Sequence, residues 1–237
     1  MNKSINNNFR EGLKDGIPIF LAYISVSFAF GLSAKEKGLP IWIGVLMSAT
    51  NLTSAGQFAG LEVIASLGAV LELAITTLII NLRYFLMSFT LSQKIDEGMP
   101  SSKRMFLSFG ITDEIFAVIT RKENKVGFLY FSGLILLPYI GWSLGTFMGA
   151  GASMLLPLSL RTALSVAIYG MFIAIIIPPS KKNHKFFYAA LIGAGISAMF
   201  KYIPFINKLS GGWVIIIATL VSASLCAYLF PIKYNEN

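Results

Sequence analysis

The sequence has few of the features that a soluble enzyme or a metalloprotein needs. Only 13% of its residues are charged, about half of the roughly 25% that is usual in soluble domains. It has one cysteine, Cys226, and one histidine, His184, so a single chain cannot build a disulfide framework or a cysteine-based metal site. It also lacks a nucleophile with a placed base and a glycine-rich phosphate loop. We therefore expect a non-enzyme without cofactor or metal.

Apolar residues dominate instead, at 55% of the chain. A helix needs about 20 largely apolar residues to cross a bilayer, and the sequence offers seven apolar segments: residues 16–34, 40–67, 68–91, 126–151, 154–178, 186–206 and 211–231. We predict an all-α integral membrane protein with about six to seven helical segments, forming one transmembrane domain over residues 1–237. Residues 1–15 are polar and the apolar stretch after them runs on without a small-residue cleavage site, so the first segment is expected to remain as a helix.

The basic residues indicate how the chain is oriented rather than a nucleic-acid partner. The net charge is +8, but the Lys and Arg residues stand mainly in connections between apolar segments, where they favour the cytoplasmic side. Residues 1–15 and the basic connection 92–125 are predicted to be cytoplasmic if segment 40–67 makes no net crossing. Localisation in a bacterial-type inner membrane follows. Of the 19 Lys and Arg residues, thirteen would then lie inside: Lys3, Arg10, Lys14, Lys94, Lys103, Arg104, Arg121, Lys122, Lys125, Lys181, Lys182, Lys185 and Lys233.

The second segment has a polar centre between two apolar ends, which favours a broken or re-entrant helix. Unwound backbone survives at membrane depth only where protein or a water-filled cavity satisfies it, and the ends of half-helices carry partial charges that bind ions. The centre is therefore a candidate substrate site. The alternative is close small-residue packing, with the hydroxyls bonded to their own helix. The polar side chains concerned include Thr50, Asn51, Thr53, Ser54 and Gln57.

The third segment carries two charged residues in an otherwise lipid-compatible run. Glu72 and Arg83 are separated by about three helical turns and share a face with Thr76, whereas Asn81 faces away in a regular helix. An ionisable residue inside the membrane is a functional hypothesis. The alternative places Glu72 near the interface, with Arg83 snorkelling or pairing with a carbonyl.

Residues 112–114 interrupt a moderately apolar stretch, 105–119, just after a glycine. Thr112 is positioned to cap a following helix. Asp113 and Glu114 have either a gating or proton-linked role or no function beyond a solvated helix start. Adjacent helical residues point about 100° apart, which makes this a poor pair for concerted acid–base catalysis and disfavours an intramembrane enzyme.

A weak internal sequence similarity relates the two halves of the chain. Ile17-Pro18 and Gly31 match Leu137-Pro138 and Gly151. Matching Gly and Pro interruptions in two halves are typical of transporters built from repeats. We therefore treat an internal repeat as a hypothesis.

Four stretches resemble the AzlC family in order and spacing: GLKDGIPIFLAYISVSFAFG from Gly12, MSATNLTSAGQF from Met47, NLRYFLMSFTLS from Asn81 and TDEIFAVI from Thr112. The resemblance implies the large subunit of a branched-chain amino acid exporter, working with a small hydrophobic AzlD-like partner of about four helices. No nucleotide-binding sequence is present, so we expect transport driven by a gradient.

Site roles are our interpretation of the polar and charged residues described above and of the positions that match the family's motifs, which are residues 57–58, 81–83 and 112–114. We expect substrate contacts from Thr50, Asn51, Thr53, Ser54, Gln57, Phe58, Asn81 and Arg83, and coupling or gating from Glu72, Asp113 and Glu114. The competing interpretations are a membrane scaffold subunit that transports nothing and, less favoured, an intramembrane enzyme.

Overall fold

The computed structural model describes residues 5–157, 159–160, 173, 176–177, 180–181, 183–203 and 209–230. Its regular elements in this part of the chain are almost all helical, which confirms the predicted all-α class. They are β1 (Ile5–Asn6), α1 (Phe9–Glu36), α2 (Ile41–Thr50), α3 (Ser54–Ala65), α4 (Val70–Ser92), α5 (Ser101–Ser108), α6 (Asp113–Arg121), β2 (Lys125–Val126), α7 (Phe128–Ala152), α8 (His184–Tyr202) and α9 (Gly211–Leu229).

Four of the described helices, α1, α4, α7 and α9, are long and apolar enough to cross a membrane. The shortest of them has 19 residues and spans about 28 Å, close to the thickness of the hydrocarbon core. These helices support the prediction of a membrane protein. Segment 154–178 lies largely outside the described residues, so the predicted total of six to seven segments stays a prediction.

Residues 51–53 interrupt the second apolar segment as its polar centre predicts. They are non-helical and separate α2 from α3. Asn51 has an extended backbone with φ of −147° and ψ of 114°, which ends the helix there. The predicted break is therefore present, while re-entry of the segment stays a prediction.

The chain forms two compact units, and each is described by itself. Unit 1 comprises residues 1–57 and 81–165, and unit 2 comprises residues 58–80 and 166–237. The single transmembrane domain over residues 1–237 stays a prediction.

The centre of unit 1 is a parallel pair formed by α1 and α7. The residue numbers at the contacts increase in the same direction along both helices: Gly133 lies against Phe9, Gly141 against Phe20 and Gly149 against Phe28. Glycine at these positions leaves room for the neighbouring backbone, which is the usual way in which membrane helices approach closely. The two helices therefore point in the same direction.

The short strands that precede these helices repeat the same pairing. Strand β1 pairs with β2 in parallel, with Ile5 opposite Lys125 and Asn6 opposite Val126. The separation is 120 residues in each pair, from 125 − 5 and 126 − 6. The match between Pro18 and Pro138 has the same separation. This geometry supports the hypothesis of a repeat whose two copies run in parallel.

Three stretches of unit 1, residues 5–15, 94–97 and 121–126, meet where α1 and α7 begin, and we call this region the polar end. Lys122 Nζ lies 2.8 Å from Glu11 Oε1 and 2.8 Å from Asp15 Oδ2. Lys94 Nζ donates to the Lys122 carbonyl at 2.9 Å. The N-terminal segment and the two ends of the basic connection, residues 94–97 and 121–125, therefore lie at the same end of unit 1.

Helices α5 and α6 are each about half as long as a membrane span. Along α5, Lys103 lies 5.0 Å from the Phe128 ring centroid and Phe109 lies 6.0 Å from Tyr139, so α5 reaches the middle of α7. Helix α6 then returns, from a start beside Tyr23 to the polar end. Sequence analysis identified only an interrupted stretch here, and it missed that the chain turns back halfway along α1 and α7.

Helix α2 reaches the same level from the opposite end. Gly44 lies against Ala34 and Thr146, whereas Ala49 accepts a hydrogen bond on its carbonyl from the Tyr139 hydroxyl at 3.2 Å. From the N-terminal to the C-terminal part of α2, its contacts on α7 therefore shift from the C-terminal part of α7 toward its middle. Both non-helical stretches, 51–53 and 109–112, therefore lie near the midpoint of α7.

Unit 2 contains the first part of α4 together with α8 and α9 among its described residues. Helices α8 and α9 pack on each other, and the Ser222 hydroxyl donates to the Ala189 carbonyl at 2.8 Å. Gly193 lies against Ser222. Small residues therefore make this contact, as they do in unit 1.

Candidate functional site

A compact turn forms the break between α2 and α3. The Asn51 Oδ1 atom accepts hydrogen bonds from the Thr53 backbone N–H at 2.8 Å and from the Thr53 hydroxyl at 2.6 Å. The Thr50 hydroxyl donates to the Leu46 carbonyl at 2.7 Å, within its own helix. Thr50 thus shows the helix-bonded arrangement that was the alternative for this segment, whereas Asn51 and Thr53 shape the break itself.

Gln57 holds the break against α7. Its side chain is buried, and its Nε2 donates to the Ser48 Oγ at 2.7 Å while its Oε1 accepts from Trp142 Nε1 at 2.8 Å. Ser48 Oγ lies 2.7 Å from Thr146 Oγ1. A buried network with these partners fixes geometry because each broken bond leaves a desolvated polar group. Gln57 therefore positions the break in the form that the structure records.

Two tyrosines connect the two non-helical stretches, and we call this region the midpoint junction. Tyr139 bonds the end of α2 and contacts Phe109. The Tyr23 hydroxyl donates to Glu114 Oε2 at 2.6 Å and lies 2.7 Å from the Thr112 hydroxyl, and its ring packs edge-on against Trp142. Because Trp142 also bonds Gln57, the start of α6 and the break after α2 share one set of aromatic supports.

Thr112 caps α6, as the sequence predicts. Its hydroxyl accepts from the Ile115 backbone N–H at 3.5 Å, and Asp113 and Glu114 occupy the first turn. A helix N-terminus carries partial positive charge that stabilises such carboxylates. The acidic pair therefore lies at the midpoint junction and not at the polar end.

Arg83 and Asp113 form an ion pair that sequence analysis did not predict. Arg83 Nη1 lies 2.8 Å from Asp113 Oδ2, and the two side chains are 38% and 44% exposed. Arg83 Nη2 also donates to the Tyr84 hydroxyl at 3.3 Å, and the guanidinium carbon lies 5.0 Å from the Tyr84 ring centroid. An accessible pair of opposite charges thus stands at the midpoint junction.

Asn81 lies beside the helix break, away from the Arg83 ion pair, as the predicted helical spacing requires. A Cβ atom added to Gly56 would lie 3.1 Å from both Asn81 Oδ1 and Nδ2 and 2.7 Å from the Thr53 hydroxyl. Among the described residues, Asn81 Oδ1 and Arg83 Nε are buried without a hydrogen-bond partner. An unsatisfied polar atom at such a position is costly.

Glu72 belongs to unit 2 and has its own surroundings there. It is only 4% exposed, and it accepts a hydrogen bond from Ser210, the residue that precedes α9. The buried Thr76 hydroxyl has no partner among the described residues and faces the backbone at Gly212. The structure therefore gives Glu72 and Arg83 different partners, although both lie on α4.

Ser54 and Phe58 are half-buried residues of α3. Ser54 begins the helix, which places it next to the turn at Thr53. Phe58 is the first residue of unit 2 in this part of the chain. Their proposed contacts with substrate stay predictions.

Sequence reasoning missed the aromatic residues that support the midpoint junction: Tyr23, Tyr84, Tyr139 and Trp142. Each lies in a long apolar run, where Tyr and Trp are usually taken for ordinary core or interface residues. The one available signal is that a Tyr hydroxyl or Trp N–H buried in such a run needs a hydrogen-bond partner. That rule indicates a polar neighbour without identifying it.

Unit 1 also contains an apolar cavity of about 450 Å³, lined by Phe9, Phe106, Phe109, Gly110, Ser132, Ile135, Leu136 and Tyr139. None of the predicted substrate-binding residues lines it. In the part of the chain that the structure describes, no group of three or more His, Cys, Asp or Glu residues could hold a metal. The charged and amide groups at the midpoint junction therefore remain the best candidate for a polar ligand.

These groups suit recognition of a small zwitterion better than covalent chemistry. Arg83 supplies a planar donor for a carboxylate, Asp113 supplies an anion, and Asn81 supplies an amide. The described junction contains no activated nucleophile. The arrangement can bind and orient a charged solute without changing its bonds.

Comparison with known proteins places the chain among transport proteins. Over residues 18–156 it matches the family described as AzlC protein. It is 31% identical to an uncharacterized membrane protein of Archaeoglobus fulgidus, covering 81% of this chain and 84% of that protein. It is 29% identical to the inner membrane protein YgaZ of Escherichia coli, covering 78% of this chain and 79% of YgaZ.

A further relative carries a functional name. The chain is 24% identical to the branched-chain amino acid transport protein AzlC of Bacillus subtilis, covering 80% of this chain and 74% of that protein. No solved structure matches the chain significantly. Because the matched family region covers more than half of its length, this chain belongs to the AzlC family of membrane transport proteins.

Proposed function

We propose that this protein is a secondary transporter in a bacterial cell membrane that exports valine, leucine, isoleucine or a related small zwitterion, together with a small hydrophobic AzlD-like subunit. One observation carries the proposal. The accessible ion pair between Arg83 and Asp113 stands at the midpoint junction, where α2 ends and α6 begins.

The depth of this pair favours a solute pathway. Helix α7 has 25 residues and is about 37 Å long, so its midpoint lies deep in the hydrocarbon region if the helix crosses the membrane. Charged side chains at that depth usually line a water-filled cavity or pair with one another. Arg83 and Asp113 are paired but still accessible. We therefore propose that a water-filled cavity lies beside them.

The chemistry of a branched-chain amino acid fits the groups at the junction. Arg83 would bind the carboxylate, and Asn81, which lies beside the helix break, would contact the solute where it passes the break. The turn at Asn51 and Thr53 brings the C-terminal end of α2, with its partial negative charge, to the same place. The name of the Bacillus subtilis relative supports this choice of substrate class.

The polar end supports the predicted orientation. Lys122 pairs with Glu11 of the N-terminal segment there and Lys94 bonds the Lys122 carbonyl, and these basic residues favour the cytoplasmic side for this end. Helix α4 finishes at Ser92 close to the polar end, since Val126 N donates to the Lys94 carbonyl.

The test is efflux of labelled leucine from preloaded cells that express the chain with and without its small partner. We expect efflux faster than in empty cells only when both proteins are inserted. A matched Arg83→Ala variant should lose the efflux when the rate is normalised to the amount of inserted complex. If efflux stays at the level of empty cells despite verified insertion of both proteins, the transport proposal is wrong for leucine. If the variant then also lowers the yield of the complex, a scaffold role replaces transport.

A further inference from the structure

Resting on the proposed function, we propose that Asp113 binds the ammonium group of the substrate, so that the Arg83–Asp113 ion pair is the empty form of a zwitterion site. Protons and substrate would then compete for the same carboxylate. This assigns Asp113 a direct contact with substrate. It also makes the proton the coupling ion.

The two states of the site are matched in charge. In the empty form the guanidinium and the carboxylate satisfy each other across 2.8 Å. An amino acid that enters between them gives its carboxylate to Arg83 and its ammonium group to Asp113, so each protein charge exchanges one opposite partner for another. In the empty and the substrate-bound states, neither charge lacks an opposite partner at membrane depth, which would be costly.

The surroundings select Asp113 and not Glu114 for this contact. Glu114 Oε2 already accepts a short hydrogen bond from Tyr23, which ties it to α1. The described structure records only the ion pair with Arg83 as a polar side-chain contact of Asp113. The other titratable groups near it are Tyr84 on α4 and Glu114 on α6, and Tyr23 on α1 bonds Glu114.

A proton on Asp113 removes the charge that holds the ammonium group. The step forms one O–H bond on the Asp113 carboxylate and breaks only the ion pair with the ammonium group, so the substrate leaves with its own protons. When the site next faces the cytoplasm, Asp113 releases its proton and binds a new substrate. One proton therefore enters for each zwitterion that leaves, and an acidic exterior drives export.

The experiment measures protons released when leucine binds to the purified complex in weakly buffered detergent solution between pH 4 and pH 7. For the wild type we expect release of up to one proton per bound leucine at the acidic end of this range. Asp113→Asn should release none and bind leucine about tenfold more weakly. Glu97→Gln, which changes an exposed carboxylate at the polar end, should behave as the wild type.

A second probe separates the ammonium contact from a structural effect. The 2-keto acid of leucine, 4-methyl-2-oxopentanoate, has the carboxylate and the side chain but no ammonium group. Asp113→Asn should leave its affinity undiminished, whereas a misfolded site would lose both ligands. Equal proton release by the wild type and by Asp113→Asn would overturn the inference, as would leucine binding without any proton release by the wild type. If the complex neither binds nor exports leucine, the proposed function fails first.

Discussion

Replacing Arg83 with Gln is expected to lower leucine efflux about thirtyfold or more. Arg83 is the one basic side chain that the described structure places in the Asp113 ion pair, and we assign it the substrate carboxylate. Losing a hydrogen-bonded charged partner costs the substrate carboxylate about 2 kcal/mol, and each 1.4 kcal/mol is a factor of ten. Initial efflux rates from preloaded cells, normalised to inserted protein, measure the effect.

Two further variants distinguish a binding role from a structural one. Arg121→Gln changes an exposed arginine at the end of α6 and should leave efflux within twofold of the wild type. The double variant Arg83→Gln with Asp113→Asn leaves no unpaired charge, so we expect it to fold with normal yield and to remain inactive. Normal efflux from the double variant would contradict our assignment and make the pair a purely structural contact.

A second large effect is expected from Gly149→Val in the contact between α1 and α7. A Cβ atom at position 149 would overlap the backbone of Phe28, with the Phe28 carbonyl carbon at 2.7 Å and Cα at 2.9 Å. Backbone atoms cannot move aside as a flexible side chain can. Overpacking of this kind costs about 1–3 kcal/mol and occasionally more, and we expect the upper part of that range.

The neighbouring Gly151 provides a matched control. No described atom lies within 4 Å of a Cβ atom built at that position, so Gly151→Val adds the same side chain to the same helix in open space. The fraction of monodisperse protein after detergent extraction should fall severalfold for Gly149→Val and stay near the wild type for Gly151→Val. Equal yields would contradict the close parallel packing of α1 and α7.

The long helices and the first break were predictable because their signals are local. An apolar run of sufficient length predicts a membrane helix, and the polar residues at 50–57 predict that the second segment is interrupted. Thr112 followed by two acidic residues predicts a helix start. Each of these features depends on residues that are close together in the chain.

The ion pair between Arg83 and Asp113 was not predictable in the same way. Its partners lie on different helices, and only the path of α5 to the middle of α7 brings Asp113, at the start of α6, to the level of Arg83. Helices α5 and α6 have 8 and 9 residues, too short to give the apolar pattern of a membrane span. Sequence analysis therefore named both charged residues without pairing them, and it grouped Arg83 with Glu72 because both lie on α4.

The parallel arrangement of α1 and α7 was only partly predictable from the sequence. The match between Ile17-Pro18 and Leu137-Pro138 suggested a repeat, but a repeat alone does not fix relative direction. Direction depends on the number of crossings between the copies, and hence on the path of α2, α3, α5 and α6. The strand pairing of Ile5 with Lys125 supplies that information only in the folded chain.

The most direct test of the account is whether leucine protects the helix break from a water-soluble thiol reagent. Replacing Cys226, the one native cysteine, with Ser and Thr53 with Cys places a single thiol at the break, and Glu97→Cys in the same background gives a control at the exposed polar end. In a Thr53→Cys complex that still exports leucine, we predict labelling by a membrane-impermeant methanethiosulfonate that leucine slows severalfold, while labelling at position 97 stays unchanged. Equal labelling of Thr53→Cys with and without saturating leucine would contradict a substrate site at the midpoint junction.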